Sequence, residues 1–143
     1  MTVASPADAE LLLAQFQTML RYSDRVTREM TGRFARTYFP DDEDPFAWLS
    51  AVRRPLPSGT PLLVAHDERD GMVPFGEAAR IADANPGATL LTTKGLGHSR
   101  ILSTDVFLDP AIDFVTTDAV IPPAARATGR AMPRAAEPVT ALV

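Results

Sequence analysis

The apolar positions follow a helical period first and a strand period later. Leu12, Phe16, Met19, Val26 and Met30 recur every three to four residues, with Ser23 interrupting the stripe. That spacing predicts an amphipathic helix with one apolar face. Ser5-Pro6-Ala7-Asp8 provides its start: Ser5 can cap, Pro6 suits the first helical position, and Asp8 puts a negative charge in the first turn. Arg21, Asp24, Arg25, Arg28 and Glu29 fill much of the other side. Gly32 weakens or ends the helix, Phe34, Tyr38 and Phe39 continue an apolar patch, and Pro40 breaks it. The stripe reads first as core packing and second, because it is rich in Met and Phe, as a lid or pocket wall. Asp44-Pro45 then caps a short helix over 46–52, with Trp48 and Leu49 facing the core.

The pattern changes at Pro61. Pro61–Ala65 (PLLVA) is an almost unbroken apolar run between turn signals, which suits a strand buried on both faces of a parallel sheet. Pro74–Ala84 reads as a helix stopped by Asn85-Pro86-Gly87, and Ala88–Thr93 as the next strand. Thr104–Thr117 is a last helix in which Pro110 predicts a kink or a late start. Strand, helix, strand, helix is the unit of a parallel α/β sheet. Two strands are legible, and a two-stranded sheet exposes both edges over little core. From Ala119 on, Pro122, Pro123, Pro133 and Pro138 interrupt a segment without period, read as a disordered tail. The expected organisation is a helical segment over 1–57, a β-α-β-α unit over 58–117 and a Pro/Ala-rich tail over 118–143.

Composition narrows the function. The chain has 143 residues, one domain's worth, with 45% apolar and 22% charged residues. A net charge of −4 argues against a nucleic-acid partner. The absence of cysteine excludes disulfides, thiolate metal sites and a cysteine nucleophile. The N-terminus lacks the pattern of a signal peptide, and no apolar run approaches a membrane span, so the expectation is a cytoplasmic protein without a membrane partner. Asp41-Asp42-Glu43-Asp44 invites a metal reading. It lacks the spaced oxygen ligands and central glycine of a calcium loop, so it reads as a solvated helix cap; no metal or cofactor is expected.

The chemistry lies after the two strands. The first runs into His66-Asp67-Glu68-Arg69-Asp70-Gly71-Met72-Val73-Pro74, and the second into Gly95-Leu96-Gly97-His98. Acid and histidine are 98 − 70 = 28 residues apart, room for one helix and one strand. In a parallel sheet both then leave the carboxyl-terminal edge, where ligands bind. An acid after one strand and a histidine after the next form the relay half of a nucleophilic hydrolase.

VAHDERDGMVP followed by GLGHSRIL resembles the C-terminal third of an α/β-hydrolase, whose usual pattern is His-Gly-x-x-Asp-x-x-Val-Pro, then a helix, then a strand ending near Gly-His. Asp67 departs from the more common glycine. The form seen here also resembles a bacterial subgroup whose upstream helices look like residues 8–54. The resemblance implies a partial α/β-hydrolase fold, with Asp70 as the catalytic acid and His98 as the general base. Gly95 and Gly97 give the histidine loop freedom to turn, Asp67 caps or braces its own loop next to Asp70, and His66 is structural. Ser99 and Arg100 shape the loop. No nucleophile is visible: Ser5, Ser23, Ser50, Ser58, Ser99 and Ser103 all lack the Gly-x-Ser-x-Gly frame, and the oxyanion loop is missing as well. The implied function is a C-terminal portion of a serine esterase-like hydrolase, from a truncated gene, a mis-assigned start or a split protein. It would be inactive on a small ester or acyl substrate until completed by an N-terminal half. The alternative is a non-enzymatic module that associates through its exposed strand edges.

Overall fold

The computed structural model describes residues 1–40 and 44–117. The elements are β1 (Thr2–Val3), α1 (Ala9–Leu20), α2 (Asp24–Tyr38), a 3₁₀ turn (Pro45–Leu49), β2 (Leu62–Asp67), α3 (Phe75–Ala84), β3 (Ala88–Thr93), α4 (Gly97–Arg100), a second 3₁₀ turn (Ile101–Ser103) and α5 (Asp105–Thr116). The described residues form a mixed α/β structure with five helices around a parallel sheet of order β1-β2-β3. The expected tail falls outside the described residues, as do Asp41, Asp42 and Glu43 of the acidic run.

β2 is the centre, and all six of its residues are buried. Alternation along a strand sends successive side chains to opposite faces. Leu62 and Val64 pack with Ala7, Ala78 and Ile81 under α3, while Leu63 and Ala65 pack with Ile101, Phe107 and Ala111 under α5. Helical layers on both faces explain why this strand is an unbroken apolar run. β3 pairs with β2 from Leu62↔Ala88 to Asp67↔Thr93 and is the more exposed edge strand.

The sheet has one strand more than the pattern predicts. Thr2 and Val3 pair in parallel with Val64 and Ala65. Two residues are too few to show a period, and their place is fixed by main-chain hydrogen bonds. The N-terminal helix also differs. Asp8 is the residue before α1, and Ser5 Oγ donates to the Val3 carbonyl instead of capping. α1 stops where Arg21 takes left-handed geometry, φ 53°. α2 then starts on Ser23, whose hydroxyl accepts from Val26 N, and it runs through Gly32 to Tyr38. No residue of α1 or α2 is buried, so the apolar stripe does not close into a core. The Asp44 cap is present, accepting from Ala47 N at 3.2 Å, but over a 3₁₀ turn. Leu49 there is exposed, and the Arg54 guanidinium lies 3.4 Å over the half-buried Trp48 ring. α5 starts at Asp105 and continues past Pro110, without a late start.

Polar links hold the first helix to the sheet unit. Ala7 N donates to Glu77 Oε2 at 2.9 Å, and Arg80 bonds both Glu77 and Asp8. Ser50 and Arg53 close on Asp8 and Glu10 from the other side. Among the described residues no helix is long and apolar enough to cross a membrane.

Candidate active site

The parallel register brings the ends of β2 and β3 to one edge, and the loops that follow them meet there. Three side chains at the end of β2 organise the site. His66, Asp67 and Asp70 stand on or just after the strand, and each is fully or almost fully buried.

Asp67 ties the loops together. Its Oδ1 accepts from Arg69 N (2.9 Å) and Gly95 N (3.1 Å), and its Oδ2 from Thr93 Oγ1 (2.8 Å) and Leu96 N (2.9 Å). Burial alone would raise its pKa. The donors from Leu96, Thr93, Arg69 and Gly97 outweigh burial and hold the carboxyl well below the usual carboxylate range. The expectation that Asp67 braces the loop describes its contacts, but the brace reaches across to the histidine loop as well as along its own.

Asp70 carries the central contact. Its Oδ1 accepts from Met72 N (2.8 Å) and Val73 N (2.9 Å), and its Oδ2 lies 2.8 Å from His98 Nδ1. The Asp70 side chain is 0% exposed and that of His98 31% exposed. Burial pushes the Asp70 pKa up, and the Val73 N–H, His98 and the Met72 N–H bring it below its ordinary value. An ionised carboxylate only accepts, so His98 Nδ1 carries the proton in this hydrogen bond, and in the neutral imidazole Nε2 is then the nitrogen with the free lone pair. Gly95 and Gly97, at φ 87° and 69°, occupy the left-handed region that swings the loop back. Arg100 fixes that loop by donating to the carbonyls of Leu96 and Gly95, both at 2.9 Å.

Asp70 and His98, the two residues singled out in the sequence, are thus brought together. No serine joins them. Ser5 bonds Val3, Ser23 caps α2, Ser50 bonds Asp8, and Ser103 bonds the Arg100 carbonyl. None of the six serines hydrogen-bonds His98, and among the described residues His98 Nε2 has no hydrogen-bond partner. No cluster of three or more His, Cys, Asp or Glu among the described residues is placed to hold a metal ion.

Beside the acid loop lies a cleft of about 290 Å³ lined by Leu12, Gln15, Phe16 and Met19 of α1 and by Gly71 and Met72. Gln15 Nε2 donates to the Met72 carbonyl, so α1 is fastened to the turn that holds Asp70. The sequence offers no signal for this link, nor for Thr93 as a partner of Asp67. Both depend on which residues the sheet register and the helix position place side by side.

No family model, curated protein or solved structure matches the chain.

Proposed function

We propose that this chain supplies the acid and the histidine of a serine hydrolase of the α/β-hydrolase kind, acting on an ester or related acyl substrate. The carrying observation is the 2.8 Å hydrogen bond between a wholly buried carboxylate and a partly exposed imidazole. Asp70 fixes the tautomer and orientation of His98. His98 Nε2 takes the proton of a serine hydroxyl as it attacks the acyl carbon, and returns a proton to the leaving group. That serine and the oxyanion donors come from outside the described residues. β1 is an edge strand, so a further parallel strand added there would end beside the same loops. The apolar part of the substrate rests against Leu12, Phe16 and Met19, in the cleft that flanks the acid loop.

The test begins with the DNA flanking the coding sequence, read for a Gly-x-Ser-x-Gly segment in any frame, which is then co-expressed with this chain. Hydrolysis of p-nitrophenyl butyrate is expected from the pair, and its loss with His98→Ala. A pair that keeps its rate without His98 would refute the assignment. So would a lone chain that hydrolyses the ester and takes a fluorophosphonate label on one of its own six serines.

A second reading has its own observation. Among the described residues β1 and β3 both leave an outer edge open, and Leu108, Ile112 and Val115 of α5 are exposed. A non-enzymatic module could pair through these edges. Light scattering over a concentration series separates the two, because a constant monomer mass is incompatible with edge pairing.

A further inference from the structure

We propose that His66 is a positioning residue for the Asp70–His98 pair, holding the acid turn by a hydrogen bond from its Nε2–H to the Val73 carbonyl. This rests on the reading of Asp70 and His98 as a relay. His66 lies on the α3 face of β2, four residues before Asp70, with its side chain 1% exposed. Its Nε2 is 3.0 Å from the Val73 carbonyl oxygen and 3.5 Å from Asp70 Oδ2. The Phe75 ring stands edge-on to the imidazole, with centroids 6.0 Å apart.

A carbonyl can only accept, so the 3.0 Å contact requires the proton on Nε2. Nδ1 is buried without a partner among the described residues, so a proton placed there would have no acceptor. The opposite tautomer would bury an unpaired donor and set a bare nitrogen against two oxygens. The surroundings therefore select one tautomer. Val73 is then held at both of its polar groups, its N–H on Asp70 Oδ1 and its C=O on His66. Asp70 Oδ1 is committed to the turn, and Oδ2 is left facing His98. Removing the His66 donor frees the Val73 carbonyl, the turn shifts, and Oδ2 loses its aim.

The experiment is long-range proton–nitrogen NMR of both histidines in the ¹⁵N-labelled full chain, with His66→Phe and His66→Gln. The wild type is expected to show the Nε2–H tautomer at His66 and an exchange-protected Nδ1–H at His98. His66→Phe keeps a ring but no donor. It should lose the His98 Nδ1–H signal while the Gly95 and Leu96 amides, held by Asp67, stay protected. His66→Gln places an amide N–H near the same point and should restore the signal. An unchanged His98 signal in His66→Phe overturns the positioning role and leaves the relay standing. If His66→Phe does not fold, the wild-type spectrum still decides, because an Nδ1–H tautomer at His66 overturns the proposal. A wild type with no hydrogen-bonded Nδ1–H at His98 overturns the relay and this role together.

Discussion

Asp67 Oδ2 and Thr93 Oγ1 lie 2.8 Å apart, across the register pair that ends β2 and β3. Asp67 also receives the N–H groups of Arg69, Gly95 and Leu96, so one buried carboxylate joins the acid loop to the histidine loop. Asp67→Asn replaces an all-acceptor group by one that turns an NH₂ toward some of these donors. The urea midpoint should fall by about 1 M or more at unchanged slope, and Asp67→Ala should cost at least as much. A midpoint equal to wild type would show that the brace does not hold the loops.

Acid sensitivity follows from the same groups. Asp67, Asp70 and Asp8 are all held below the ordinary carboxylate value in the folded chain. The unfolded chain therefore binds more protons below about pH 4, and stability rises with pH through that range. The contribution is complete above the unfolded value and is lost as pH falls through the folded ones. Urea unfolding at a series of pH values should show this decline, and Asp67→Asn should make it shallower. A slope unaffected by Asp67→Asn would place the acid sensitivity elsewhere.

Gly87 precedes β3, and a Cβ there would sit 2.4 Å from the Thr60 carbonyl oxygen. The Gly87 carbonyl also accepts from Leu62 N at 3.2 Å, at the first rung between β2 and β3. Gly87→Ala should cost about 2 kcal/mol or more, because backbone must move at the sheet's starting point. Gly71→Ala is the control: beyond its chain neighbours, no described atom lies within 4 Å of where its Cβ would sit, so its cost should stay within about 0.5 kcal/mol. Equal midpoints for the two variants would contradict the steric explanation.

The sequence made β2 legible because helices cover both faces, which leaves no polar position in Leu62–Ala65. Asp70 and His98 were legible by order, since a parallel register carries both to one edge. β1 was not legible, being two residues held by main-chain pairing. Nor was the division of the first helix, because Arg21 in left-handed geometry is not a residue type that announces it. Ser23, visible only as a gap in the stripe, proved to be the cap that restarts the helix. The reach of Asp67 was hidden for another reason. Gly95 and Leu96, two of its donors, lie 28 and 29 residues away, and nothing local marks them as its partners.

Asp70→Asn keeps the shape of the acid but presents an amide to His98, which favours the wrong tautomer. On the proposed function, in a pair completed by a serine-bearing segment, the rate on an acyl ester should fall about 10⁴-fold. Comparing single-turnover rates of the wild-type and Asp70→Asn pairs checks this. A loss of less than tenfold would mean that His98 is oriented by something other than Asp70.

The most direct measurement is the protonation pattern of the His98 ring near neutral pH, by long-range proton–nitrogen NMR on the wild type and Asp70→Asn. The expected result is a proton on Nδ1 and a bare Nε2 in the wild type, with that preference lost in Asp70→Asn. A wild-type His98 protonated on Nε2, or a mixture of tautomers unchanged by Asp70→Asn, would contradict a relay in which Asp70 readies His98 to accept a proton.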